Sequence, residues 1–256
     1  MIRHRPAASV LLGLLLLLAG PHGIDVAAQE PPPGMPAMSS YQFGLLRRGP
    51  SWTPGRTPAT DSIQAGHMAN IGRMAKEGWL LAAGPMGDSG DLRGIFIFRA
   101  DSIARLREQV AQDPAVSSGR LVLDLYSWFA PAGIGEPYKK LAQRPGHRDS
   151  MVKMQLVLLK AGPRSSPEVT DEARTVQIDH VRGIFRGLAS GELAVAGPFT
   201  DGGDLRGVLV YRGDSTFAHR RSLEDPAVKA GRLTVEMHPW WVGYGTMPGD
   251  TLGAAR

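Results

Sequence analysis

The sequence predicts an α+β fold in which two βαββαβ units pack sheet to sheet within one chain, as an intramolecular pseudo-dimer with an α/β-barrel-like core. The first observation behind this prediction is a repeat. Gly78–Gly94 and Gly191–Gly207 are identical at eleven of 17 positions, at a constant offset of 113 residues. The second observation is that the same order of strand-like and helix-like segments surrounds both copies. The two units cover about residues 41–129 and 153–242, and each has the usual size of a domain.

Each unit has the same predicted elements. A short apolar strand leads through a Gly/Pro/Ser loop into a long helix, and the glycine after that helix suits a left-handed cap. A short strand ending at Gly-Pro, a β-rich segment, a second helix and a closing strand follow. In the first unit, Asp101 or Ser102 is the expected cap of the second helix. The expected elements are Tyr41–Arg47, Thr60–Glu77, Leu80–Ala83, Gly94–Arg99, Ser102–Gln112 and Leu121–Phe129 in the first unit, and Met154–Lys160, Asp171–Ser190, Leu193–Ala196, Gly207–Arg212, Ser215–Glu224 and Leu233–Trp241 in the second.

The order β-α-β-β-α-β is that of a ferredoxin-like unit, whose four-stranded antiparallel sheet carries helices on one face only. The other face of such a sheet needs a cover. The second copy in the same chain can supply that cover. We therefore expect the two sheets to pack against each other around an eight-stranded core.

The N-terminus has the pattern of an export signal. Residues 1–5 are short and basic, Pro6–Gly20 is almost wholly apolar, and the small pair Ala27-Ala28 follows. The apolar run is shorter than the roughly 20 residues that span a bilayer, which favours cleavage after Ala28 over an uncleaved anchor. We expect an exported bacterial protein, periplasmic or extracellular, with no stable membrane anchor after cleavage.

The remaining segments are predicted to connect or flank the two units. Residues 29–40 contain three consecutive prolines and are expected to form an extended leader after the signal peptide, residues 1–28. Residues 130–152 are rich in Gly, Pro and charge and are expected to form a linker. Residues 243–256 are expected to form a loose C-terminal tail.

Composition and motifs exclude several classes of protein. The 256 residues contain no cysteine, which rules out disulfide frameworks, thiol nucleophiles and thiolate metal sites. The formal net charge is +5, and removal of residues 1–28 leaves 27 basic and 23 acidic residues, a charge of +4. These basic residues are scattered, so we expect no nucleic-acid partner. The chain has no Gly-x-Ser-x-Gly, P-loop, GxGxxG or HExxH motif, and we expect no metal and no cofactor.

Two histidines are the candidates for chemistry, because each lies on the apolar stripe of the first helix of its unit. His67 is four residues from Ile63 and four from Ile71, and His180 has equivalent apolar neighbours. A spacing of four puts side chains on one helix face, so both imidazoles are expected to face the sheet. An imidazole there can act as a general base. It can also bond a carbonyl group and fill space.

A general-base histidine needs a carboxylate that orients its ring. Asp113 and Asp225 are the matching candidates, because each precedes a proline at the end of the second helix of its unit. Asp before Pro also commonly ends a helix, so a purely structural turn is the other interpretation. The alternative carboxylates lie in the loop before the third strand of each unit and are Asp88, Asp91, Asp201 and Asp204.

The candidate ligand contacts are a glycine, a proline and an arginine in each unit. The Gly-Pro pairs are expected to end a strand and to shape the wall of a cleft, because glycine allows close approach and proline restricts φ. Arg93 and Arg206 could bind an anionic ligand, or could pair with the aspartates of their own loops. The residues expected to form the wall are Gly84, Pro85, Gly197 and Pro198.

The repeated motifs resemble the YCII-related domain family, of the dimeric α/β-barrel group. They are the helix histidine, G-x-L-x-x-A-G-P at Gly78–Pro85 and Gly191–Pro198, D-L-R-G, D-P-A-V-x-x-G, and a closing strand that ends in Trp128 or in His238-Pro239-Trp240. The resemblance covers both copies. It implies a ferredoxin-like fold, dimerisation through sheet faces, and a cleft that holds a His–Asp pair. Some relatives dehydrochlorinate or isomerise small aromatic or lactone-like compounds.

Two functions are compatible with these residues. The first is a cofactor-free small-molecule enzyme in which His67 or His180 transfers a proton, oriented by Asp113 or Asp225, in an elimination or isomerisation. The second is a non-catalytic module that binds a small ligand or serves as a scaffold. The second copy carries the fuller motif and is the expected site if only one works. An open pocket with His and Asp within hydrogen-bond distance would favour the enzyme.

Overall fold

The computed structural model describes residues 36–99 and 103–250. The predicted signal peptide, most of the predicted leader, the predicted cap at Asp101 or Ser102 and the last six residues lie outside the described residues. The first unit contains four strands and three helices. They are β1 (Met38–Arg48), α1 (Pro58–Lys76), β2 (Leu80–Pro85), β3 (Leu92–Arg99), α2 (Ile103–Ala111), α3 (Pro114–Ser117) and β4 (Leu121–Pro131).

The second unit repeats this order after a short connecting helix, α4 (Glu136–Ala142). Its elements are β5 (Met151–Ala161), α5 (Asp171–Ser190), β6 (Leu193–Pro198), β7 (Leu205–Tyr211), α6 (Ser215–Glu224), α7 (Pro226–Lys229) and β8 (Leu233–Gly243). No helix within residues 36–99 and 103–250 combines the length and the apolar character needed to cross a membrane.

The predicted fold is confirmed. Each unit forms a four-stranded antiparallel sheet, with the strand order β2-β3-β1-β4 in the first and β6-β7-β5-β8 in the second. The first strand of each unit is central, so Phe43 of β1 lies between Ile97 of β3 and Tyr126 of β4. Each sheet packs its helices on one face, through an apolar cluster of its own.

Helix α5 has the predicted bounds, and α1 begins two residues before and ends one residue before the predicted Thr60–Glu77. Thr57 caps α1 by accepting a hydrogen bond from the backbone N–H of Thr60, and Pro58 occupies the first turn, where its missing N–H costs nothing. Helix α5 begins in the same way at Thr170. It ends at Gly191, whose φ of 79° is the left-handed conformation that glycine adopts without strain.

The two sheets close on each other at both edges. Strand β2 lies beside β8, joined by an antiparallel bridge between Met86 and Trp240, and β4 lies beside β6, joined by a bridge between Trp128 and Phe199. The eight strands therefore enclose a single interior. Closing the edges also removes the exposed strand edges that would otherwise pair with other chains.

The core inside the two sheets is apolar and rich in aromatic rings. Trp128, Trp240, Phe43 and Phe199 are almost completely buried there, together with aliphatic side chains from both units. The ring centroids of Phe43 and Trp128 are 5.0 Å apart, and those of Phe43 and Phe199 are 5.6 Å apart, both edge to face. Because these rings come from both units, the sheet-to-sheet contact stabilises the pair of units as one body.

Three details differ from the sequence prediction. The second helix of the first unit stops at Ala111 and a separate turn, α3, follows, because Asp113 is extended and Pro114 cannot continue the hydrogen-bond ladder. The predicted linker contains α4. The predicted loose tail is packed as far as it is described, since Met247 is fully buried and Asp250 pairs with Arg212.

Candidate functional site

Helix α1 and the turn at α3 bring His67 and Asp113 together in the first unit. Nδ1 of His67 lies 2.9 Å from both carboxylate oxygens of Asp113. The amide of Asn70, one turn further along α1, donates to the same carboxylate at 3.0 Å, and the backbone N–H of Ala115 donates to it at 2.9 Å. Asp113 is completely buried.

These donors determine the charge of Asp113. Burial raises the pKa of the Asp113 carboxyl, but the hydrogen bond and charge of His67, with the hydrogen bonds from Asn70 and Ala115, outweigh burial and hold that pKa below its ordinary value. Asp113 is therefore an ionised carboxylate at neutral pH. It accepts the proton on Nδ1 of His67, which leaves Nε2 as the nitrogen that can accept another proton.

The second unit contains the same pair. Nδ1 of His180, on α5, lies 2.7 Å from a carboxylate oxygen of Asp225. Asp225 also accepts from the backbone N–H groups of Ala227 at 2.8 Å and Val228 at 3.3 Å. Among the described residues, Nε2 of His180 has no hydrogen-bond partner and is not a fully buried atom. The ring is thus oriented by Asp225 and has one nitrogen available.

Each aspartate combines a helix-capping turn with a contact to the histidine of its unit. Asp113 is the N-cap of α3 and Asp225 is the N-cap of α7, so each carboxylate ends its turn as an Asp before Pro commonly does. Each carboxylate also binds its histidine. Capping uses one oxygen and leaves acceptor capacity on the carboxylate for the imidazole.

The four alternative aspartates do not contact either helix histidine. Asp88 binds His238, and Asp91 lies 3.6 Å from Arg47. Asp201 accepts from the backbone N–H of Ser127, across the junction between β4 and β6, and the backbone carbonyl of Asp204 accepts from Ala161. Asp113 and Asp225 are therefore the carboxylates that the fold brings to His67 and His180.

A cavity of about 300 Å³ lies beside His180. Its wall is formed by α5, by the β6 end, by the start of β7 and by the loop after β5, with mostly apolar side chains. The predicted contact residues Gly197, Pro198 and Arg206 line it. His180 therefore lies on a space large enough for a compact small molecule.

The corresponding positions of the first unit carry larger side chains. Trp52 stands where the second unit has Ser165, and Phe96 stands where it has Leu209. The Phe96 ring is stacked on His67, with 5.9 Å between the ring centroids. Trp52 packs on the apolar cluster between sheet and helices. Ser165 and Leu209 both border the cavity, so the two units differ in the side chains around their histidines.

The Gly-Pro pairs end β2 and β6, and their glycines lie against the other unit. The Gly84 carbonyl accepts from the indole of Trp240 at 3.2 Å, and the Gly197 carbonyl accepts from the indole of Trp128 at 3.0 Å. A Cβ atom on Gly84 would lie 1.7 Å from the carbonyl oxygen of Trp241. Glycine is thus required for the close approach of the two sheets, a role that the sequence interpretation missed.

The two predicted arginine contacts have different surroundings. Arg93 donates to the backbone carbonyls of Asp88 at 3.0 Å and Gly90 at 3.2 Å, and its guanidinium lies 5.4 Å from the centre of the Trp52 ring. Pro85 is exposed beside it. Arg206 is exposed at the cavity, with no side-chain hydrogen bond or ion pair to any described residue.

His238 is a polar site residue that the sequence interpretation did not select. Its Nδ1 lies 2.7 Å from Asp88 of the first unit, and its Nε2 lies 2.8 Å from Glu236, which also pairs with Lys160. The spacing of Glu236 and His238 puts both on one face of β8, which the sequence could have indicated. Within the described part of the chain, no group of three acidic or histidine side chains is arranged to hold a metal ion.

Comparison with known proteins gives one family match and a set of distant structural likenesses. The model of the YCII-related domain matches residues 35–128, which cover the first unit. No curated protein matches the chain.

Among solved structures, a chlorite dismutase variant from Candidatus Nitrospira defluvii is 12% identical, with a TM-score of 0.49, over 80% of this chain and 92% of that one. A heme-binding protein from Thermus thermophilus is also 12% identical, with a TM-score of 0.46, over 85% of this chain and 95% of that one. Neither likeness bears on the chemistry of this chain. The family match makes the first unit similar to a YCII-related domain.

Proposed function

We propose that this protein is a small-molecule enzyme that transfers a proton at the second unit, with His180 as the general base and Asp225 as the residue that orients it. The single observation that carries the proposal is the cavity of about 300 Å³ on which His180 lies, with Nε2 lacking a partner among the described residues. A space of this size is at the lower end of small-molecule sites.

The chemistry follows from the orientation of the ring. Asp225 accepts the proton on Nδ1, so Nε2 takes a proton from a carbon next to a carbonyl group of the substrate. The C–H electron pair moves into the substrate and forms an enolate. In an isomerisation, Nε2 returns the proton to a different carbon. In an elimination, the electron pair forms a double bond and a leaving group departs with its own pair. An imidazole supplies every proton transfer in both reactions.

Three further residues are assigned to ligand contact in this proposal. Gly197 and Pro198 form part of the cavity wall, and Arg206 lies at its surface. In the first unit, His67 and Asp113 form the same pair, but the Phe96 ring is stacked on His67. We assign a structural role to that first pair and to Gly84, Pro85 and Arg93. The pair holds α1 against α3, and Arg93 holds the loop before β3.

We also propose that the second unit is a second YCII-related domain and that the chain is exported. The repeat supports the first statement, because Gly191–Gly207 matches Gly78–Gly94 at eleven of 17 positions and both units have one topology. The pattern of residues 1–28 supports the second. N-terminal sequencing of the protein from a periplasmic or culture fraction tests export, and Gln29 is the expected first residue.

Hydrogen–deuterium exchange of acidic C–H bonds tests the catalytic proposal without a known substrate. The full chain is incubated in D2O with a panel of small cyclic ketones, lactones and hydroxylated aromatic compounds, and loss of C–H signals is followed by NMR. We expect exchange with at least one compound, and a decrease of about 10²-fold or more in His180→Gln, the usual size of a general-base effect.

Matched variants identify the source of any exchange. His219→Gln removes an exposed histidine of the same unit and should leave exchange unchanged. His67→Gln tests whether the histidine of the first unit contributes to the exchange. We expect this variant to retain most of the exchange. Exchange in the wild type that His180→Gln does not lower would contradict the proposal, because another group would then be the base.

A further inference from the structure

We infer that the cavity beside His180 takes a compact molecule with an apolar body and one anionic group, a carboxylate or an ionised acidic ring, and that Arg206 and Arg232 bind that group. The inference rests on the proposed function in that it concerns the same cavity. It adds Arg232 as a recognition residue and assigns a chemical class to the ligand.

Two basic side chains lie on the cavity wall. Arg206 and Arg232 line it, and among the described residues no aspartate or glutamate does, since the nearby carboxylate of Asp225 is bonded to His180. Among the described residues, neither guanidinium forms an ion pair with a carboxylate. Arg232 donates one hydrogen bond to the backbone carbonyl of Ser166, at 3.1 Å, which leaves its other N–H groups available. Two arginines beside a low-dielectric wall favour an anion, and the guanidinium fork matches a carboxylate.

The rest of the wall is apolar, which restricts the body of the ligand. The apolar side chains are contributed by α5 and by the strands of the second sheet. They include Val181, Ile184, Leu188, Leu205, Leu209 and Leu233. A cavity of about 300 Å³ with such a wall accommodates one small ring or a branched chain.

The first unit provides an internal comparison, because it has the same two arginines with a tryptophan ring beside them. Arg93 and Arg120 correspond to Arg206 and Arg232, and their guanidinium carbons lie 5.4 Å and 4.4 Å from the centre of the Trp52 ring. The face of an indole is electron-rich and attracts cations, so Trp52 takes the place of an anion. Serine at position 165 removes that ring from the second unit.

The second arginine of each unit donates a hydrogen bond to the same position of its loop, which makes the comparison close. Arg120 donates to the Thr53 side chain at 3.1 Å, and Arg232 donates to the carbonyl of Ser166, the residue that corresponds to Thr53. The loop and the second arginine are therefore arranged alike in both units. The tryptophan-to-serine difference exposes the guanidinium to the cavity.

Binding of matched acids and amides tests the inference directly. The probes are benzoate and phenylacetate, with benzamide and phenylacetamide as neutral molecules of the same shape, titrated into the full chain and followed by NMR. We expect each acid to bind at least about tenfold more tightly than its amide, because the acid adds charge-assisted hydrogen bonds. Absence of acid binding, or equal binding of acid and amide, would overturn the inference.

Variants locate the binding. Arg206→Gln/Arg232→Gln should weaken binding of the acids by about tenfold or more and change binding of the amides little. Arg186→Gln/Arg220→Gln removes the same charge from exposed positions of the second unit and should leave both unchanged. Ser165→Trp should abolish acid binding, since it reproduces the packing of the first unit. If acid binding survives both Ser165→Trp and the cavity double variant, the inference is wrong.

The outcome is separable from that of the proposed function. Acid binding is measured in the arginine variants and C–H exchange in His180→Gln, so the two readouts depend on different residues. Acid binding that depends on the arginines, together with C–H exchange that does not depend on His180, supports the ligand class and contradicts the enzyme. C–H exchange that depends on His180, without acid binding that depends on the arginines, contradicts the ligand class alone.

Discussion

Nδ1 of His238, in the last strand of the second unit, lies 2.7 Å from a carboxylate oxygen of Asp88, in a loop of the first unit. Nε2 of the same ring lies 2.8 Å from Glu236. Both ring nitrogens therefore face a carboxylate, so His238 bridges an acidic residue of each unit. Burial raises the pKa of Asp88, but the hydrogen bond and charge of His238 outweigh it and hold that pKa below its ordinary value. This network joins the two units by polar contacts beside their apolar core.

Loss of this contact should destabilise the whole chain, because the two units form one body. Asp88→Asn keeps the size of the side chain and removes its charge. We expect a decrease in the free energy of unfolding of about 1.5–3 kcal/mol, the usual contribution of a hydrogen bond to a charged group. Urea unfolding measures it. Asp91→Asn is the control, since Asp91 is 61% exposed and its ion pair is long, and it should change the free energy little.

The His67–Asp113 pair should make stability depend on acid pH. The pKa of Asp113 is lowered on folding, so its contribution is fully present above the ordinary aspartate pKa of about 3.9 and is lost as pH falls through the lower folded value. The amide side chain of Asp113→Asn does not titrate in this pH range. The difference in free energy of unfolding between the wild type and this variant should therefore be constant near pH 5 and shrink towards pH 3. A difference that stays constant over that range would contradict the assignment.

The glycines at the sheet junction should tolerate no side chain. A Cβ atom on Gly84 would lie 1.7 Å from the Trp241 carbonyl oxygen, and one on Gly197 would lie 1.9 Å from that of Phe129. We expect Gly84→Ala and Gly197→Ala each to lower the free energy of unfolding by about 2 kcal/mol or more, as overpacking of a core does.

A helical glycine provides the control for these substitutions. Gly183 lies within α5 with open space around it, and Gly183→Ala should raise stability by up to about 1 kcal/mol, because alanine favours the helix. Thermal unfolding of the three variants compares them. Equal effects of all three substitutions would contradict the close approach of the sheets.

The C-terminal segment should contribute to stability as far as Asp250. The backbone N–H groups of Gly245 and Met247 donate to the Asp250 carboxylate, at 3.0 Å and 3.1 Å, and Arg212 forms an ion pair with it. Asp250→Ala leaves these buried donors without an acceptor, so we expect a loss of about 1–3 kcal/mol. Asp149→Asn, at a 75% exposed carboxylate, is the control and should change little. Unchanged stability in Asp250→Ala would mean that the segment is loose in solution.

The contacts within each unit could be predicted, and the contacts between units could not. His67 and His180 lie on helix stripes, four residues from apolar neighbours. Asp113 and Asp225 recur at matching positions of the two units, so each His–Asp pair could be predicted from the sequence of its own unit. The Asp88–His238 contact joins residues 150 positions apart through the closure of two sheet edges. The register of that closure is a property of the assembled barrel, which no local pattern specifies.

The sequence by itself determined the architecture of this protein and its two histidine–aspartate pairs, because helix periodicity and an offset repeat are local properties that survive without knowledge of the rest of the chain. It also contained the difference between Trp52 and Ser165 without indicating what that difference does. Only the tertiary structure decided that a cavity borders His180, whereas in the first unit Trp52 packs against Arg120. The physical reason is packing: whether a small side chain leaves a space depends on every surface around it, and those surfaces come from strands, helices and loops distant in sequence.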